Sequence, residues 1–188
     1  MPEKMQGMGA IPGVGIGYIM KAGQALDGYL AAYQPGTVEE ELEKLDSAVA
    51  EVADILEKSV EQMRAVGHDE QANIMEAHLF LAQDPMLTDG MADKVREMGN
   101  APAAILASAA ESAKIFQSMD DEYLRERAAD VLDVSKRIAG KILGIKEPEV
   151  GDRMVILCGY EVEPSVIASV PDDKIAGVIM GQGSTTCH

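Results

Sequence analysis

The chain has 188 residues, 47% of them hydrophobic, with 16 Lys+Arg against 32 Asp+Glu for a formal net charge of −16. That apolar share is enough to bury a core in one ordinary domain or two small ones, and the excess negative charge repels phosphate backbones and anionic membrane surfaces, which argues against nucleic acid as a partner. Two cysteines, no basic segment leading into an apolar one, and no apolar run near the ~20 residues that cross a bilayer point to the cytosol and to no membrane insertion.

Residues 1 to 36 are rich in Gly and Pro around the short apolar stretch Val14, Ile16, Tyr18, Ile19, which predicts strand and turns. Thr37 followed by Glu40 makes a capping box and opens a first helix that ends near Gly67. Val38, Leu42, Leu45, Val49, Val52, Leu56 and Met63 fall on alternating four- and three-residue steps, the seam of a coiled-coil-like hairpin. At ~1.5 Å per residue this helix is roughly 40 Å long, too long to pack anywhere but lengthwise against neighbours. A second helix runs from Asp69 to Gln83, is interrupted at Pro85 and continues kinked to Met98. Asn100 caps a third, with Pro102 in its first turn, and Ser118 or Asp120 opens a fourth that reaches Leu143 before Gly144. From Pro148 onward short apolar runs return, Met154 to Leu157 and Ile175 to Met180, and read as strands. Strand, four-helix block, strand fits either a bundle inserted into an α/β domain or two independent small domains.

Several segments carry candidate chemistry. His188 follows an apolar strand and the hydroxyl-rich turn Gly183-Ser184-Thr185-Thr186-Cys187. A neutral imidazole there is a nucleophile for phosphorus, with Thr hydroxyls to steady the product. On position alone, a terminal histidine is more often a tag remnant or an arbitrary chain end. Cys187 and Cys158 lack the spacing of a metal site. Gly13-Val14-Gly15-Ile16-Gly17 fits neither a dinucleotide-binding nor a Walker fingerprint and reads as a strand with close backbone packing. Ile74 to Leu87 is apolar around most of a helix, as either a partner-docking surface or a helix buried on two sides requires. Asp120 to Val131 places acids before bases, which suits the helix dipole without any function. The acidic balance favours a basic protein partner.

Together these segments resemble enzyme I, the phosphoenolpyruvate–protein phosphotransferase family, from Gly7 to His188. Ile11-Pro12-Gly13-Val14-Gly15-Ile16-Gly17 resembles the family's Ser-Pro-Gly-Ile-Ala-x-Gly, and Ile74-Met75-Glu76-Ala77-His78 its Ile-Phe-Glu-x-His. Tyr123 to Val131 is nearly the family's string unchanged, and the closing residues look like Gly-Gly-x-Thr-Ser-His. The resemblance implies an α+β fold: a phosphohistidine swivelling α/β domain, residues 1–36 and 145–188, incomplete at its C-terminus, with an inserted four-helix bundle of long antiparallel helices at 37–144. It implies His188 as phosphohistidine, Thr186 and Arg127 near the transferred phosphate, and HPr docking through His78, Leu79, Phe80, Leu81 and Arg127, with Glu76 and Asp84 as acidic rim contacts.

The chain departs from the family at Ser184 and Cys187, where Gly and Ser are usual, and at Glu163, which stands where a Thr bonds the active imidazole. Glu163 as acceptor would favour the charged imidazole. No cofactor is expected in this part of the family, whose magnesium and phosphoenolpyruvate belong to a C-terminal barrel that also makes the dimer, so a monomer is expected here. The competing readings are an enzyme I-like segment of a multidomain dihydroxyacetone kinase phosphotransferase, the histidine domain of a pyruvate-phosphate dikinase, which the docking insert disfavours, and a helical partner-binding module without chemistry.

Overall fold

The structure is a computed structural model describing residues 8–9, 12–21, 26–120, 122–145, 152–160, 162, 166–167 and 170–181. It has two compact units, Gln24–Glu147 and the two flanking segments Met1–Gly23 with Pro148–His188.

In the flanking unit, strand β1 (Tyr18–Lys21), strand β2 (Val155–Gly159) and strand β3 (Ile175–Met180) form one parallel sheet in the order β1-β2-β3. Tyr18 pairs with Val155 and Lys21 with Cys158, so strands on either side of the helical insert are neighbours. The two segments that flank the helices in sequence thus share one sheet. Val155, Leu157 and Val170 are buried, with Met20, Val162, Val166, Ile167 and Ile175 packed on them. β1 is shorter than its apolar stretch, because 12–17 have no regular structure. There Gly15 lies against the Ala176 carbonyl, and a Cβ on Gly17 would stand 2.8 Å from the Met154 carbonyl oxygen. The backbone approach is close at Gly15 and Gly17 but not at Gly13, and the expected strand does not include residues 12–17.

The helical unit contains helix α1 (Leu26–Ala32), α2 (Val38–Ala65), α3 (Asp69–Ala82), α4 (Pro85–Met98), α5 (Ala101–Gln117) and α6 (Glu122–Ile142). Among the described residues, six helices stand where four are expected. α1 falls inside this unit, moving the boundary from residue 36 to 23, and α4 is a separate helix rather than a kinked continuation. The expected caps are in place: Thr37 and Glu40 form the reciprocal box, and the Asn100 side chain accepts from the Ala103 N–H at 3.1 Å. α2 and α6 end at Gly67 and Gly144, whose φ of 82° and 67° only glycine adopts freely.

The core consists of fully buried Leu45, Leu56, Met75, Met91, Ile105, Val131 and Ile138, and α5 contributes Ala101, Ala104, Ala109 and Ala113, small enough to bring its backbone close to α4 and α6. The α2 seam differs from the expected one. It runs through Glu41, Leu45, Ala48, Val52, Leu56 and Val60, leaving Leu42, Val49 and Met63 half-buried.

A carboxylate holds a core position because every lone pair there is used. Glu41 accepts from the Tyr33 hydroxyl (2.9 Å), the Gly36 N–H (3.0 Å), the Ala101 N–H (2.8 Å) and the Lys44 ammonium (2.6 Å). One acid thereby joins the segment after α1, the start of α2 and the first turn of α5, whose free N–H groups favour negative charge.

Candidate functional site

α3 and α4 meet at a corner made by Asp84 and Pro85. Asp84 is extended (φ −70°, ψ 117°), its Oδ1 accepts from the Met86 N–H at 2.9 Å, and Pro85 fills the first helical position, where a missing N–H costs nothing. The corner projects Met86, 87% exposed, while Phe80 on the preceding turn is 66% exposed. Two large apolar side chains left in water each forgo about 1.5–3 kcal/mol of burial, which a partner can recover.

Phe80 is exposed for the same reason that His78 is not. Met75, His78 and Ala82 share the α3 face turned into the bundle, and two residues on from His78 the helix has rotated by about 200°. Leu79 and Leu81 flank that face and are half-buried. His78, expected on the docking surface, is 1% exposed and faces α6 instead. Its Nε2 is 3.3 Å from Asp130 Oδ1 and its Nδ1 3.6 Å from Asp133 Oδ2. Carboxylate oxygens only accept, so pairing with Asp130 requires the proton on Nε2.

Of the expected rim acids, Glu76 pairs with Arg64 Nη2 at 2.9 Å and Asp84 is the α4 cap, so both have structural roles at the surface. Arg127 is half-buried on α6, one turn before Asp130. Thus Glu76, His78, Leu79, Phe80, Leu81, Asp84 and Arg127 all lie in the helical unit. His188, Thr186, Glu163, Ser184 and Cys187 lie outside the described residues. Asp130 and Asp133 are additions that sequence reasoning missed. They stand three apart on α6, the spacing of one helix face, but nothing local marks their histidine, 52 positions from Asp130.

Among the described residues no group of three or more His, Cys, Asp or Glu side chains is arranged to hold a metal ion. No helix among them is long and apolar enough to cross a membrane.

Residues 6–127 match the family described as PEP-utilising enzyme, N-terminal. The chain belongs to this family. Among curated members, the phosphoenolpyruvate-protein phosphotransferase of Staphylococcus aureus is 35% identical over 158 residues, 80% of the chain, and that of Bacillus subtilis 30% over 190 residues, 99% of the chain. The chain spans only 27% and 33% of their respective lengths. A solution structure of an Enzyme I protein superposes with a TM-score of 0.71 at 28% identity, covering 90% of this chain and 70% of that one. A structure titled N-terminal domain of Enzyme 1 - Nitrogen shares the fold, with a TM-score of 0.67 at 22% identity over 95% of this chain and 74% of that one. The PEP-utilising enzyme N-terminal match therefore takes in β1, α1 to α5 and the start of α6 as far as Arg127, while the Bacillus subtilis relative extends the similarity through the sheet.

Proposed function

We propose that the chain is the phosphocarrier part of a cytosolic phosphoenolpyruvate–protein phosphotransferase, carrying a phosphoryl group on His188 between a phosphoenolpyruvate-binding domain and HPr. The phosphotransferase reading draws on the similarity to the Staphylococcus aureus and Bacillus subtilis proteins. The observation that carries the docking half is the exposed pair Phe80 and Met86 at the α3–α4 corner of a strongly acidic chain. Apolar anchors on a strongly acidic chain suit a partner with a basic, partly apolar face.

In this reading an imidazole nitrogen of His188 attacks phosphorus in line. The N–P bond forms as the P–O bond to the enolate breaks, and the leaving enolate picks up a proton to become pyruvate. The carrier's own nucleophile then displaces the histidine. The group arriving on the ring carries about 1.5 to 2 negative charges, so Thr186, through its hydroxyl, and Arg127 stabilise it by position and charge. Glu163 accepts the second ring N–H and holds the tautomer. HPr presents its phosphoryl site while seated on Phe80, with Leu79 and Leu81 beside it.

The test is transfer of ³²P from phospho-HPr. Wild type is expected to take up label and His188→Gln to remain at background. Label that persists on His188→Gln, or that never appears on wild type while HPr still binds, overturns the relay and leaves a docking module. Phe80→Ser is expected to weaken HPr binding about tenfold by calorimetry, since a central apolar anchor is lost, with an unchanged melting temperature because the ring packs against little.

A further inference from the structure

We infer that buried His78 is a positioning residue of the partner site, its Nε2 holding the half-exposed carboxylate of Asp130 in place as an acidic anchor for a basic protein partner. This rests on the docking reading above and assigns it a residue pair.

His78 is nine-tenths and more buried, yet its ring is not spent on packing alone. Each nitrogen faces a carboxylate of α6, Asp130 at 3.3 Å and Asp133 at 3.6 Å. The two acids differ in what else reaches them. The Asp133 side chain is 11% exposed and sealed into the interface, whereas that of Asp130 is 32% exposed, so one end of its carboxylate meets the imidazole and the rest meets solvent. A partly exposed acid is ordinarily free to change rotamer, and freezing it is part of the entropy a partner must supply on binding. A donor fixed inside the bundle removes that freedom in advance.

The surroundings point to a basic partner. With a net charge of −16 on the chain, a partner that approaches this face productively carries an excess of Lys and Arg. A positioned carboxylate then contributes register and affinity, where a mobile one would contribute mainly encounter rate.

The experiment is a double-mutant cycle on the whole chain with HPr as the probe, using Asp130→Asn, His78→Phe and the pair, with amide spectra recorded for each variant. Asp130→Asn keeps the side-chain shape and is expected to weaken HPr binding about tenfold and to flatten its salt dependence. His78→Phe is expected to weaken binding to a similar extent, and the double variant no further than Asp130→Asn alone, because without the charge there is nothing left to position. A merely structural His78 would instead give additive losses in the cycle and would lower the melting temperature equally in both backgrounds. Additivity, or unchanged affinity of Asp130→Asn while wild type binds, overturns the inference. Failure of wild type itself to bind HPr overturns the docking reading, and the positioning role falls with it. If His78→Phe does not fold, Asp130→Asn and the movement of the His78 ring resonances on HPr addition decide the matter, and resonances that stay put count against the role.

Discussion

Replacing Glu41 with Gln is expected to destabilise the helical unit by about 3 kcal/mol, lowering its melting temperature by on the order of 10 °C. The amide side chain accepts at one oxygen only, so the N–H groups of Gly36 and Ala101 compete for it, and Lys44 loses its charged partner. Acid should reproduce part of the effect. Burial pushes the Glu41 carboxyl up, but the Lys44 ammonium, the Ala101 and Gly36 N–H groups and the Tyr33 hydroxyl outweigh it and hold it at about 2, below the usual 4.5. A depressed carboxyl contributes stability that is fully present above the unfolded-chain value and is lost as pH falls from about 4.5 towards 2. Thermal melts of wild type across that range should fall steeply, and those of Glu41→Gln much less. Parallel pH profiles for the two proteins would remove Glu41 from its central role.

Gly15→Val is expected to disrupt the sheet unit by roughly 3 kcal/mol or more. Any Cβ at Gly15 would overlap the Ala176 carbonyl, a backbone atom of β3 that no rotamer change moves aside, and Val adds two further methyl groups. The same replacement at Gly13, whose Cβ would meet nothing within 4 Å, is the matched control and should be nearly silent. Hydrogen exchange separates the units: Gly15→Val should raise exchange in β2 and β3 while α2 to α6 stay protected. Equal protection in both variants would mean the close approach carries no load.

Much of the helical unit was legible because its boundaries are set by local chemistry. Thr37, Asn100, Gly67 and Gly144 each satisfy or end a helix within a few residues, so reading them needs no knowledge of the rest of the chain. Pro85 was read as a kink because its ring breaks the ladder. The complete break depends on Asp84, whose capping bond builds a new start instead of bending the old helix. α1 escaped notice because a seven-residue helix containing Gly28 has little signal of its own. The periodic seam falls one residue off at Glu41 for a reason that generalises: periodicity assumes apolar cores, and here Tyr33, Gly36 and Lys44 nearby in the chain, with Ala101 from the start of α5, make an acid at home in one. His78 shows the same limit at the candidate site. The family resemblance located the segment, but which of its residues faces outward depends on α6, and the two acids that turn the imidazole inward are invisible from its own neighbourhood.

The parallel pairing of β1 with β2 also sets an order of events. Tyr18 and Val155 are adjacent in the sheet yet 137 residues apart along the backbone, and closing a coil of that length forfeits about 4 kcal/mol of entropy before the first ladder bond returns anything. The intervening helices nucleate through near neighbours, and once they condense the open coil has become a short, folded detour. The strands are therefore expected to pair last, and a substitution that slows folding of the helices is expected to slow recovery of the sheet in refolding monitored by hydrogen exchange, even when no strand residue is touched.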